Sequence, residues 1–526
     1  MLWVRLSEEA TPGMTNVFRN VRVFKDVGEV LTSVPEVPGA PPVAVVFGAD
    51  EARQSLEGAG VMVLSAPPRA YRLKPTAPGG AAVLPGGLVA WFGGADFEAS
   101  LDAPAEPRRT PGVVAVSSEA AAAAVRPLLR AGVELEVRTP DEITLAAAVY
   151  RSLAYMRGAY FAGVLAVGRC VYGADPETVY AAVAGCGWVP KTLRAAAPVA
   201  GSDALMATPL VIALASCRTQ ARAVLPPFSA APLQHVAPLQ HVAVVGLGVV
   251  GCAVAAGFQG ALVGVHDKDH LREVEFLSRN IPEAGWNSVV GAGCVFVCVP
   301  TNSRATALDV ADERGAPHDF GALAEVCAEL AARKYAGVVA VKSTVTPGVC
   351  RQLRGKYGLD VVYNPEFLTA RRACEDFAQQ PYVLIGAAAV RSSPHLGAGD
   401  GAARLAALYR ARWPAARVTV VSFEEAELAK LAANCYYALK VQLFTELHIA
   451  HPALCTAVRA LLTKGDVSAQ HTQVPGPDGQ WSYGGACFPK ETRALLALVH
   501  DLALAPDLAR LLRVSLQQRR RLRPLD

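Results

Sequence analysis

The stretch His241-Val-Ala-Val-Val-Gly246-Leu-Gly248-Val-Val-Gly251 decides how this chain is read. A short apolar strand runs into three glycines spaced G-x-G-x-x-G, and an Ala-rich helical run follows. The glycines permit a tight turn and close packing, and they let backbone N–H groups meet a pyrophosphate at the helix N-terminus. The backbone of Gly246, Gly248, Val249, Val250 and Gly251 is therefore the expected dinucleotide cradle. Alone the pattern is weak, since a buried glycine-rich turn reads the same way. The next strand strengthens it, because VGVHDKD places Asp267 21 residues after Gly246. A carboxylate there holds a ribose 2′-hydroxyl, which favours NAD over NADP.

Outward from this point the second half alternates strand and helix. Strands are expected at 242–245, 262–266, 294–299, 337–342 and 361–363, with a helix at 321–333. That alternation implies a parallel sheet with crossover helices. A helix from about 424 to 450 has neither Pro nor Gly. A Gly/Pro loop (475–486) and another helix (490–500) follow. Val242 to Val265 is almost free of polar residues, but its glycines suit strand, turn and buried helix better than a membrane span.

The chain has 526 residues, 52% hydrophobic and 18% charged, as expected for a well-buried globular protein of several domains. A net charge of +4 is too small to argue for nucleic acid or a membrane surface. Arg519, Arg520, Arg521 and Arg523 read as a solvated helix end. The 12 cysteines show no CxxC pairs and no metal spacing, so free thiols, a reducing cytoplasmic compartment and no metal are expected. The N-terminus shows no signal-peptide pattern.

Five further segments carry a family resemblance. They are VFVCVPT (295–301), VAVKSTVTPG (339–348), YNPEFL (363–368), EAELAKLAANCYYALKVQLFTEL (425–447) and YGGACFPKET (483–492). In order and separation the region from 241 to about 515 resembles the UDP-glucose/GDP-mannose dehydrogenase family. The resemblance implies a Rossmann-like NAD-binding domain (241–420) and an all-helical middle domain (421–526). It also implies oxidation of a nucleotide sugar's primary alcohol to the acid by two hydride transfers. A thiolate holds the intermediate aldehyde as a thiohemiacetal and then as a thioester. Cys487 matches that nucleophile. Its place before a helix is expected to favour the thiolate. Lys430 and Asn434 stand one helical turn apart, on one face, and match the pair that stabilises negative charge on the reacting oxygen. Glu366 matches the carboxylate for proton transfer or thioester hydrolysis. Thr344 matches a residue near both cofactor and reacting centre. Val299, Pro300, Thr301, Ser343 and Lys490 fall in segments that the family places at the cofactor.

Departures from the family pattern limit what is carried over. Glu491 stands where the family usually has Asp. Thr369, Ala370 and Arg371 follow NPEFL where the family has a second Glu and a Gly. The family's third, nucleotide-binding domain has no counterpart here, so the substrate could differ or activity be lost. A structural or interaction protein built on a dehydrogenase fold, and a two-electron hydroxyacid dehydrogenase, stand as alternatives. NAD binding tests the first, and the need for Cys487 tests the second.

The first half reads as a decayed copy of the same unit. Residues 139–164 align without gaps on 422–447, and 201–208 fall opposite 485–492. Ala147 then faces Lys430, Arg151 faces Asn434, and Asp203 faces Cys487. The expected layout is a degenerate Rossmann-like domain (1–135), its helical domain (136–222) and a linker (223–240) containing APLQHV twice. The copy is expected to bind no NAD, and to pack through its long helix as an internal pseudo-dimer. The alternative is an unrelated N-terminal domain.

Overall fold

The computed structural model describes residues 113–190 (with gaps between 118 and 133), 208–218, 239–277, 284–304, 315–388, 401–464, 467–500 and 502–524. Before residue 94 it describes five strands: β1 (Leu2–Arg5), β2 (Val43–Phe47), β3 (Met62–Ser65), β4 (Ala81–Leu84) and β5 (Leu88–Gly93). Most of the expected linker and most of 201–208 lie outside the described residues. The chain forms two compact units. One is Met1–Met156 with Ala196–Ser216 and Lys440–Trp481; the other is Arg157–Ala195 with Cys217–Leu439 and Ser482–Asp526.

The second unit is built on a seven-stranded sheet. Its strands are β8 (Val242–Val245), β9 (Leu262–His266), β10 (Cys294–Val297), β11 (Val338–Val341), β12 (Asp360–Tyr363), β13 (Tyr382–Ala387) and β14 (Arg417–Ser422), in the order β14-β13-β12-β11-β10-β8-β9. β8, β10 and β11 are buried at every position, as helices on both faces of a parallel sheet require. β13 alone enters antiparallel to β12 and is then paralleled by β14. The five expected strands form within a residue or two of their expected ends. The last two, and most of the short helices, were not anticipated. Phe258, Phe296, Phe377, Tyr409 and Trp413 pack as one aromatic cluster beneath the sheet.

β8 lies between β9 and β10, so successive connections leave it toward opposite sides. Such a switch point opens a crevice at the carboxyl ends of the strands. Helix α3 (Val249–Gly257) begins there. In chain order the helices that matter are α1 (Pro140–Tyr172), α2 (Pro176–Ala184), α3 (Val249–Gly257), α4 (Val349–Tyr357), α5 (Phe423–Ala450), α6 (Phe488–Val499) and α7 (Pro506–Leu522).

In the other unit β6 (Val113–Val116) pairs antiparallel with β5 and parallel with β7 (Glu134–Val137). β7 leads into α1 as β14 leads into α5, and both helices open with a capping box. Glu142 Oε2 accepts the Thr139 N–H at 2.9 Å, and Thr139 Oγ1 accepts the Glu142 N–H at 3.2 Å. Glu425 Oε2 and Ser422 Oγ repeat this at 2.9 and 3.3 Å. The two boxes fall at positions that the gapless alignment pairs.

Within the second unit the C-terminal part of α1 crosses the N-terminal part of α5 in opposite directions. Tyr160 Oη donates to Ala432 O at 2.9 Å, and Phe161 meets the Tyr436 ring at 5.5 Å. Further along, Gly168 abuts Leu428 and the Asp175 N–H donates to Glu425. Asp175 also caps α2 through Thr178, as Asp-Pro before a helix leads one to expect.

No described helix is long and apolar enough to cross a membrane. All twelve cysteines are free thiols. The C-terminal arginines correct their reading as a solvated end. Arg519 and Arg523 are buried and donate to Tyr483 O and Ser482 O, so α7 grips the loop before Cys487. Arg520 and Arg521 are not among the buried residues. A basic run on an amphipathic helix spans both faces, and its sequence does not reveal what one face touches.

Candidate active site

The glycine turn fits a dinucleotide. Gly246 takes φ +92°, and a Cβ there would sit 2.6 Å from Cys298 O. At Gly251 a Cβ would come within 1.8 Å of Gly246 O. Around Gly248 a Cβ would meet nothing within 4 Å, so the space before α3 is open where a pyrophosphate would lie. Val249 is exposed there. Asp267 Oδ2 accepts the Leu247 N–H at 2.6 Å and Oδ1 the Asp269 N–H at 2.8 Å. Each oxygen keeps lone-pair capacity for a ribose hydroxyl. Gly251→Ala is expected to displace the turn and weaken NADH binding by at least about 10-fold, since reshaping a close-packed contact costs at least 1–3 kcal/mol. Gly248→Ala should fold normally and lose affinity by filling the cradle. Fluorescence titration with NADH, beside thermal melts, checks both.

The loops after β10 and β11 are tied together. Thr301 Oγ1 donates to Thr344 O at 2.8 Å, and Ser343 Oγ to Val299 O at 2.6 Å. Lys490 Nζ lies 3.1 Å from both Thr301 O and Thr301 Oγ1, which brings α6 to this edge. Val299 is half-buried and Pro300 exposed.

Beside these loops runs a buried polar chain. Lys430 Nζ sits 3.2 Å from Glu366 Oε1 and 3.4 Å from Asn434 Oδ1. Asn434 Nδ2 donates to Glu491 Oε2 at 2.7 Å. Glu491 therefore reaches the chain despite its longer arm. Its other oxygen is buried and accepts no hydrogen bond among the described residues, with Lys490 Nζ 3.7 Å away. Cys487 is the residue that caps α6. Tyr409 Oη and Lys342 Nζ both reach Asn364 Oδ1, which pins the turn leading to Glu366.

Electrostatics divides these groups. Burial would raise the Glu366 carboxyl, but Lys430, the Leu368 amide and Lys342 outweigh it and hold the group below its ordinary range. Burial would lower Lys430, yet Glu366, Glu491 and Cys487 keep it above its ordinary value. These shifts agree on a charged pair. Burial raises Glu491 despite Lys430, Lys490 and Asn434. Burial and the neighbouring Lys430 depress Lys342 to about 8.

Cys487 departs from expectation. Burial of its sulfur, then the Glu491 and Glu366 carboxylates, push the thiol up to about 11, although the residue retains solvent exposure. The helix N-terminus and the two lysines do not overcome the burial and the negative charge. The resting group is the thiol. Alkylation of Cys487, followed on its own peptide, should keep accelerating as pH rises from 7 to 10 instead of levelling near 8.5. Glu491→Gln should accelerate it at pH 8, because removing negative charge lowers a thiol pKa.

Every residue expected at the site thus lies in the second unit. Lys342, Asn364 and Glu427 were not anticipated. Glu427 is fully buried on α5 and accepts the Gly348 and Cys350 N–H groups at 2.6 and 2.8 Å, tying the Thr344 loop to the helix carrying Lys430. A lysine ending the apolar strand VAVK, and a carboxylate one turn before Lys430, were the available signals.

Fold and site together define a class: a dinucleotide-binding α/β domain joined to a helical domain whose long helix sets a lysine and an asparagine beside a cysteine loop. Residues 282–411 match the UDP-glucose/GDP-mannose dehydrogenase family, NAD binding domain, and residues 424–515 match the central domain of the same family. Both matched segments fall within residues 282–515, in the C-terminal half of the chain. A UDP-glucose 6-dehydrogenase of Pseudomonas aeruginosa is 28% identical over 287 residues, covering 48% of this chain and 60% of that one. One from Rhizobium meliloti is 29% identical over 234 residues, covering 41% and 47%. The chain spans about half the length of the curated relatives it matches. Among solved structures, a UDP-glucose dehydrogenase of Pyrobaculum islandicum superposes with TM-score 0.42 at 22% identity, over 54% of this chain and 69% of that one.

Proposed function

We propose that this protein oxidises the primary alcohol of a nucleotide sugar to the carboxylate in two NAD-dependent steps, with Cys487 as nucleophile. The observation that carries the reading is the buried chain Glu366–Lys430–Asn434–Glu491 beside Cys487. The turn at Gly246–Gly251 and Asp267 would hold NAD, which supplies the hydride acceptor when bound.

The remaining chemistry belongs to the chain's own residues. Lys430 stays protonated and offers N–H donors to the substrate oxygen, and Asn434 holds that ammonium in place. When the Cys487 thiol adds to the aldehyde carbon, the S–C bond forms, the S–H bond and the C=O π bond break, and the resulting alkoxide is held by Lys430. Glu491 Oε1, which accepts no hydrogen bond among the described residues, is the nearby destination suited to that proton. The ionised Glu366 is suited to activate the water that later cleaves the thioester, releasing the carboxylate and restoring the thiol.

A cofactor-reduction screen across UDP- and GDP-sugars tests this. Two NADH per sugar consumed are expected. One NADH per substrate, or none with any nucleotide sugar, would sink the reading.

The N-terminal half is proposed as a degenerate copy of the same unit, forming an internal pseudo-dimer. The matching capping boxes and the antiparallel crossing of α1 and α5 support this. Ala147 and Arg151 replace the lysine and asparagine, so the copy serves as scaffold. Hydrogen exchange of the full chain should show the facing parts of α1 and α5 protected as one cooperative block. Independent exchange of the two helices would refute it.

A further inference from the structure

A turn of the N-terminal half touches two aromatic residues that lead to the catalytic loops. It follows α2 and reads Gly185-Cys186-Gly187-Trp188. Gly185 lies directly on the Tyr382 ring, where an added Cβ would come within 2.3 Å of the ring carbon bearing the hydroxyl. Tyr382 in turn meets Phe367, with ring centres 6.0 Å apart. Phe367 is the neighbour of Glu366 in sequence, and Lys430 Nζ stands 5.1 Å from its ring centre.

The second line runs through Tyr437. Cys186 Sγ and Tyr437 Oη are 2.9 Å apart, and the Trp188 ring centre lies 5.5 Å from that of Tyr437. Tyr437 then packs against Phe488 at 6.3 Å, the residue next to Cys487. Lys430 is close enough to Cys186 for its charge to work against the burial that raises this thiol. One turn is thus in contact with both ring pairs. One pair ends beside the carboxylate and lysine, the other beside the nucleophile. Aromatic contacts of this kind hold the rings in preferred edge-on and offset arrangements. In a close-packed interior a shift at one end is passed on rather than absorbed.

We propose that the Gly185–Trp188 turn is a positioning element of the active site, setting Cys487 against Glu366 and Lys430 through Tyr437–Phe488 and Tyr382–Phe367. The N-terminal half thereby acts on the chemistry of a site whose reacting groups it does not supply. The inference rests on the assignment of Cys487 and Glu366 to the reaction, so its test includes a readout that needs no turnover.

Trp188→Ala and Trp188→Phe are compared with the parent in the full chain. Alkylation of Cys487 by iodoacetamide is followed on its own peptide from pH 7 to 10, with kcat, KM and melting temperature alongside. Losing the ring should loosen Phe488 and uncover the sulfur. Trp188→Ala is expected to move the alkylation profile at least one pH unit lower and to reduce kcat at least fivefold with the KM for NAD unchanged. Trp188→Phe should restore both. An unchanged alkylation profile in Trp188→Ala would overturn the proposal. So would a shift that Trp188→Phe fails to restore. Gly185→Ala, pressing on Tyr382, should reduce kcat without moving the Cys487 profile as far; full activity there overturns the Tyr382 limb. If no nucleotide sugar is turned over by the parent, the assigned reaction fails, and the thiol profile still decides the positioning claim.

Discussion

Cys487→Ser in the full chain is expected to abolish carboxylate formation while leaving the protein folded and able to bind NADH. No Cys487 side-chain hydrogen bond caps α6 in the native chain, and serine is a favourable capping residue, so helix stability should hold or improve slightly. The chemistry should not survive, because a hydroxyl is a far weaker nucleophile than a thiol that can be deprotonated. The rate of acid formation should fall on the order of 10³-fold or more, the scale seen when a nucleophile is removed from a catalytic set. Mass analysis of the sugar product separates the outcomes. Accumulating aldehyde, or its hydrate, is expected. Undiminished acid would remove Cys487 from the mechanism and favour a two-electron dehydrogenase.

Lys430→Met is expected to damage stability and activity together. Lys430 is buried against Glu366, so removing the ammonium strands a buried carboxylate. Breaking a buried pair in this way costs about 3–5 kcal/mol. Removing a donor aimed at the developing charge costs about 10²–10³-fold in kcat. Glu366→Gln on top of Lys430→Met should recover much of the melting temperature, because the orphan charge is gone, and none of the activity. Urea melts and initial rates on the two singles and the double close that cycle. Two additive losses of stability would show that the pair is not coupled.

The pH range of this pair follows from its shifts. Glu366 is held below its ordinary value in the fold, so its contribution is present above that value and is lost as pH falls through the folded one. Lys430 is held above its ordinary value, so its contribution is present below that value and is lost as pH rises through the folded one. The pair therefore stays intact across the neutral range. Lys342, at about 8, is a buried cation that loses its charge as pH rises through that value.

The C-terminal half was legible because its elements carry local signals. Val242–Val245 is apolar throughout since both faces of a parallel strand are covered, and three glycines follow because the backbone must turn tightly there. Helix α5 announces itself by length without Pro or Gly. The strands β13 and β14 and the helix Pro452–Lys464 carry weaker signals. The strands form because the sheet edge supplies their partners, and the helix is tied at its end by Lys464 to Glu134 of β7.

The site divides the same way. Sequence by itself determined which residue types stand at 246–251, 267, 366, 430, 434 and 487, and so which chemistry is proposed. Spacing on α5 alone put Lys430 and Asn434 on one face. Only the tertiary structure decided their states. The Cys487 thiol is raised because burial, Glu491 in the same helix and Glu366 from far along the chain outweigh a local helix end. Arg519 and Arg523 are buried because the Ser482–Gly484 turn lies against α7. Residues 185–188 reach Tyr382 and Tyr437 because α1 crosses α5. Charge state, burial and long-range contact depend on what surrounds a group in space, and neighbours in sequence do not specify that.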